Sequence, residues 1–187
     1  MKKLLLVASL ISAVLLLQNC KKDTVTATAT STQTLFADIN DSTWTPDTLS
    51  ASITYNAAAK TKVFSFSGSV DNKEIIAAVT QNTNSNTPGF ALNTYNADAA
   101  GLNTFQYLTL QVNNAGGFDY VPVGTVGPGS GTLAVTAIDS VKHQITGTFS
   151  FTAKKVTYDS SGNIKSIFVQ QISLGAFNNM PYTFTSK

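Results

Sequence analysis

Few side chains in this 187-residue chain are suited to chemistry at neutral pH: it has one cysteine, Cys20, and one histidine, His143. A zinc centre gathers three or four His, Cys or carboxylate ligands, and a nucleophilic triad needs a histidine oriented by a neighbouring acid. His143 has no second histidine and no acidic cluster beside it, and its context "IDSVKHQ" reads as a hairpin turn. The acids Asp47, Asp71, Glu74, Asp98, Asp119, Asp139 and Asp159 are scattered, nearly all at predicted turns. Their spacing signals no carboxylate pair for acid–base work. No catalytic residue, metal ligand or cofactor is assigned, and the chain is not expected to be an enzyme. A hydrolase using carboxylates assembled by the fold is the least favoured reading.

Two stretches imitate motifs. "DINDSTW" sets Asp38, Asn40 and the following Asp41 as a calcium loop begins, but Thr43 and Leu49 stand at the sixth and twelfth positions, where that loop requires Gly and Glu. It reads as a turn between a strand ending at Ile39 and the chain that carries Trp44. "GTVGPGSG", Gly124 to Gly131, lacks the Lys-Ser/Thr of a phosphate loop and opens a strand rather than a helix. It reads as a flexible loop lining a rim where a ligand can dock. Of the 11 Phe, 6 Tyr and one Trp, most Phe fall on inward strand faces and count as core. Trp44, Tyr95, Tyr107 and Tyr120 lie near strand ends or loops, and with the Asn-rich "TQNTNSNTPG" they form the candidate ligand surface. Its expected ligand is a small apolar molecule, a glycan or a protein partner.

Cys20 has value through its position. Met1-Lys2-Lys3 is a short positive segment, and Leu4 to Leu17 is uncharged and mostly Leu, Val, Ile and Ala. That run has the length of a signal-peptide apolar region and falls short of the roughly 20 residues that span a bilayer. It ends in "LQNC", which resembles the lipobox of bacterial lipoproteins, with Asn19 in place of the usual small residue. Residues 1–19 are read as a lipoprotein signal peptide and Cys20 as the lipidated (palmitate-bearing) residue. Cleavage elsewhere would leave Cys20 a free thiol. Residues 20–33 carry a Thr/Ala run without bulky apolar side chains, which reads as a flexible tether. The expected location is the cell envelope, at the outer membrane, with the leaflet open.

Charge excludes one class of partner. The chain has 12 Lys, no Arg and 10 acids; without Lys2 and Lys3 the balance is 10 against 10. Apart from Lys154-Lys155 there is no basic patch in the region after the tether, so nucleic-acid binding through phosphate neutralisation is not expected.

The elements that must position these residues are strands. "TLSASITYN" sets Leu49, Ala51, Ile53 and Tyr55 on one side; "KVFSFSGSV" does so with Phe64, Phe66 and Gly68. "GTLAVTAI" aligns Leu133, Val135 and Ala137, and "QITGTFSFTA" aligns Ile145, Gly147, Phe149, Phe151 and Ala153. Such alternation marks strands half-buried on a core. Asp71-Asn72, Asn113–Gly117 and Asp159–Asn163 supply turn chemistry at hairpin spacing. Residues 34–187 are expected to form a single all-β domain of nine or ten antiparallel strands, a β-sandwich or a flattened meander β-barrel.

The opening "FADINDSTW", the hairpin segment "ITGTFSFTA" and the near-terminal "ISLGAFNNMP" together resemble a family of Bacteroidota lipoproteins whose domain has no assigned function. In that family's opening a Gly stands where this chain has Asp41. The resemblance implies an all-β cell-envelope domain and no activity. The expected role is a lipid-anchored binding or accessory module, the alternative being a structural or interaction protein of the envelope.

Overall fold

A segment such as Thr61–Val70 can bury Phe64 and Phe66 while leaving Ser65 and Ser67 near water only as a strand with one face on a second layer. The computed structural model describes residues 33–187, and in it these segments become strands of two facing sheets. The strands are β1 (Leu35–Ile39), β2 (Ser42–Trp44), β3 (Thr48–Asn56), β4 (Thr61–Val70), β5 (Lys73–Asn82) and β6 (Thr94–Asn96). There follow β7 (Thr104–Val112), β8 (Phe118–Pro122), β9 (Gly131–Asp139), β10 (Gln144–Tyr158), β11 (Ile164–Pro181) and β12 (Thr183–Ser186). One sheet runs β2-β1-β11-β10-β9-β6 and the other β12-β3-β4-β5-β7-β8. Neither closes on itself, so the architecture is a β-sandwich and not a barrel. All pairings are antiparallel except β12 on β3, which is parallel. The readings of residues 1–19, of Cys20 and of the tether up to residue 32 lie outside the described residues.

The strand number is corrected from nine or ten to twelve. The additions β2 and β12 are three and four residues long, too short to show a period, and owe their extended form to β1 and β3 beside them. Between β5 and β7 the chain forms only the three-residue strand β6. One predicted face also turns over. Opposite Thr146 and Gly147, β9 inserts one extra residue, so Ala137 is exposed and Ile138 packs on the core instead.

The core lies between the sheets and is built on phenylalanine. Phe66 of one sheet meets Phe149 of the other with ring centroids 5.2 Å apart, and Phe64 and Phe66 each meet Phe177 at 5.7 Å. Phe105 and Phe151 close the next layer at 5.7 Å. These tilted contacts suit the ring quadrupole and fill the space between the sheets.

Strand length is uneven, and this creates the site. The edge strands β2, β6, β8 and β12 are three to five residues long, while β10 has 15 residues and β11 has 18. Pairing with β9 ends at Phe151, and pairing with β1 ends at Ile172. Beyond those points β10 and β11 continue as a hairpin to Tyr158 and Ile164, met on the β10 side by an isolated bridge from Thr125 to Lys154. Seven residues of overhang project about 23 Å at the rise of an antiparallel strand. Asn40 and Asp41, both at positive φ, form the two-residue turn of a type I′ hairpin that ends β1. The "DINDSTW" stretch is therefore a turn in the structure, as its sequence reads.

Candidate functional site

The aromatic surface expected from the sequence does not form. Trp44, Tyr95 and Tyr107 are only 3%, 6% and 4% exposed and belong to the core. Their rings lie on inward strand positions, Trp44 at the end of β2, Tyr95 within β6 and Tyr107 in alternation with Phe105 on β7, and burial outweighs their polar tips. Burial pushes the Tyr107 hydroxyl above its ordinary pKa and that of Tyr95 up to about 12. Tyr95 Oη donates to Ala91 O at 3.2 Å, while the Trp44 indole N–H is buried without an acceptor. Tyr120 alone remains partly exposed, on edge strand β8, with Oη 3.5 Å from Asp71 O. The four residues are spread over both sheets and make no common surface.

His143 closes the β9–β10 turn at positive φ and stacks on Tyr182, with centroids 5.3 Å apart. Asp139 and Asp159 serve as turn residues. Backbone N–H donors, chiefly that of Lys142 for Asp139 and that of Asn163 for Asp159, hold both carboxyls below the usual range. Among the described residues no three His, Cys, Asp or Glu side chains come together as a metal site would require.

What the fold does assemble is a groove of about 660 Å³ beside the projecting hairpin. The stretch Pro122–Thr125 and the Gly-rich loop form one wall, and Thr152, Lys154, Lys155, Val156 and Tyr158 of β10 form the other. Gly124 is needed there because a Cβ would lie 2.7 Å from the carbonyl carbon of Lys154. That close approach lets Thr125 pair with β10: Thr125 N donates to Lys154 O at 3.0 Å, and Lys154 N donates to Thr125 O at 2.8 Å. The loop thus lines a rim, as the sequence suggests, and Ser130 O accepts from Thr152 N at 2.8 Å.

The hairpin leaves apolar side chains in water. Tyr158, Ile164, Ile167 and Val169 are about half or more exposed and, with Val156, share one face through the pairs Val156↔Ile167 and Tyr158↔Ile164. Phe168, 48% exposed, lies on the opposite face beside Lys155. A contiguous apolar patch of this kind, rimmed by polar residues, marks an interaction surface. Lys154 and Lys155 form no ion pair among the described residues, where the single ion pair joins Lys142 to Asp139. Sequence reading singled out Lys154-Lys155 and missed Tyr158, Val156 and Val123. The available signal was the length of the late β-forming segments relative to the short ones beside them.

No family model, curated protein or solved structure matches this chain.

Proposed function

We propose that this chain is a lipid-anchored cell-envelope β-domain that works as a binding module, with the groove and projecting hairpin as its binding face. The observation that carries the binding reading is the groove itself: two lysines without acid partners, the apolar Val123 and Val156, and an exposed Tyr158 beside an open strand edge. The close-packed aromatic core favours such a surface site over an interior cavity for a small apolar molecule. The anchoring reading rests on "LLLQNCKKD", on the Thr/Ala tether and on the resemblance to Bacteroidota lipoproteins, which also supports the outer membrane as its location.

The chain enters the domain at the far end from the groove. Thr34 O accepts the Asn178 amide, and Asn178 is separated from Ile164, at the hairpin tip, by about 46 Å of β11 at strand rise. Replacement Cys20→Ser, followed by membrane fractionation and labelled palmitate incorporation, tests the anchor. Wild type is expected in the membrane fraction carrying label, and the variant in the soluble fraction without it. Unlabelled, soluble wild-type protein would overturn the anchoring reading.

A further inference from the structure

The open edge of β10 in the groove is one strand short of a complete sheet. Lys154 turns both its N–H and its C=O toward Thr125, on the side that β9 occupies earlier in the strand. Pairing of β10 with β11 runs without a shift from Lys154 to Thr157, so Lys155 and Thr157 bond to β11 while Val156 points its backbone groups into the groove. By the same alternation Tyr158 does so too. These groups continue the ladder that Thr125 begins, at the spacing an added strand would meet.

We propose that the groove binds an extended acidic peptide segment of a partner protein by strand addition to β10, with carboxylates on consecutive residues reaching Lys154 and Lys155. This rests on reading the groove as a binding site. Three observations carry it. The backbone of Val156 and Tyr158 offers unpaired donors and acceptors, the element an incoming strand requires. Lys154 and Lys155 point to opposite faces of the hairpin and lack acidic partners among the described residues, so two adjacent acidic side chains, which also alternate, are matched one to each face. The edge strands β2, β6, β8 and β12 have five residues or fewer, which limits pairing there, and the other long open edge, that of β11 beyond Ile172, is tested by the control at Val169.

The test uses a fluorescent nonapeptide of Val and Thr with two adjacent central glutamates. Two controls accompany it, one with lysines for the glutamates and one with N-methylated backbone amides. Anisotropy should report saturable binding of the acidic peptide that weakens with salt, and a loss of about tenfold or more in either control. Val156→Pro removes a donor facing the groove and should abolish binding, whereas Val169→Pro, whose N–H faces the opposite edge as does that of Gln171, which donates to Asn40 Oδ1, should not. Circular dichroism checks that both variants fold; if Val156→Pro does not, the N-methylated peptide decides. Equal binding by the N-methylated peptide would overturn strand addition while keeping the groove as a binding site. Loss on Val169→Pro alone would place the site on β11 and overturn the assignment. Absence of binding up to about 1 mM peptide would overturn both the mode and the groove reading, leaving the anchor test unaffected.

Discussion

The Phe177 ring lies over Gly147 of the neighbouring strand, and the relation is returned two residues on, where Phe149 lies over Gly175. The two strands exchange ring for glycine, so the aromatic layer packs against backbone. A Cβ on Gly147 would sit 2.1 Å from Ala134 O and 2.3 Å from Phe177 Cζ. The backbone oxygen cannot yield by a rotamer change. Gly147→Ala should therefore cost about 3 kcal/mol, the upper range of overpacking, in urea unfolding with an unchanged m-value. Phe149→Ala should cost about 3–5 kcal/mol by leaving a cavity. A loss below about 1 kcal/mol would contradict the inward placement of Phe149.

Leu174 gives a prediction of opposite sign. It is the extra residue of β11 between the pairs Phe149↔Gly175 and Phe151↔Ile172, its φ is +50°, and its side chain is 70% exposed. A left-handed residue with a bulky side chain costs about 1–2 kcal/mol and Leu174 recovers little of that by burial. Leu174→Gly should raise stability by about 0.5–1 kcal/mol after the entropy of a free glycine is counted. Asp41→Gly at φ +64° in the type I′ turn should act in the same direction. A fall in Tm for both variants would show that these bulge and turn conformations carry no strain.

Among the described residues Lys62 is the one charged side chain that is buried, and its Nζ donates to Thr87 O and Gly89 O at 2.7 Å each. It ties the 83–90 loop across the end of the sandwich. Lys62→Met should cost about 1–3 kcal/mol, since both carbonyls lose a donor, and should speed amide exchange in that loop. Burial holds the ammonium below its ordinary pKa of 10.5. Between the folded pKa and 10.5 the unfolded chain binds the extra proton, so stability rises with pH there. Subtracting the Lys62→Met curve from that of wild type should reveal that rise; a flat difference would refute it.

Buried tyrosines set the alkaline limit. Tyr95 is raised to about 12 against 10.0 for the unfolded side chain, and Tyr107 and Tyr182 are raised as well. The folded state keeps these protons longer, so their contribution is whole below pH 10.0 and lost as pH rises toward about 12. Tyrosinate absorbance should show the buried group titrating late, together with unfolding. Tyr95→Phe should remove part of the loss above pH 10.0. Titration of all tyrosines near their ordinary value in folded protein would refute their burial.

The strand faces were legible because side-chain alternation is a local property. Ile145, Gly147, Phe149, Phe151 and Ala153 are buried as their spacing demands, and the Asn40-Asp41 turn ends β1 through its own backbone preferences. Ala137 was misplaced because a bulge depends on the partner strand, which the residues of β9 do not encode alone. The aromatic surface failed for a related reason. Nothing within the sequence around Trp44 tells whether a ring at a strand end meets water or a second sheet, whereas Tyr107, two residues from Phe105 inside β7, shares that residue's inward face.

By itself, then, the sequence determined an all-β chain, its turn positions and which side of most strands is apolar, since these follow from residue type and a period of two. Tertiary structure decided that the sheets stay open as a sandwich and that Trp44, Tyr95 and Tyr107 are core. It also decided that β10 and β11 outrun β9 and β1 to leave a groove. Each of these depends on where segments far apart in the chain start and stop beside one another, and strand pairing across that distance is settled only when the whole core packs.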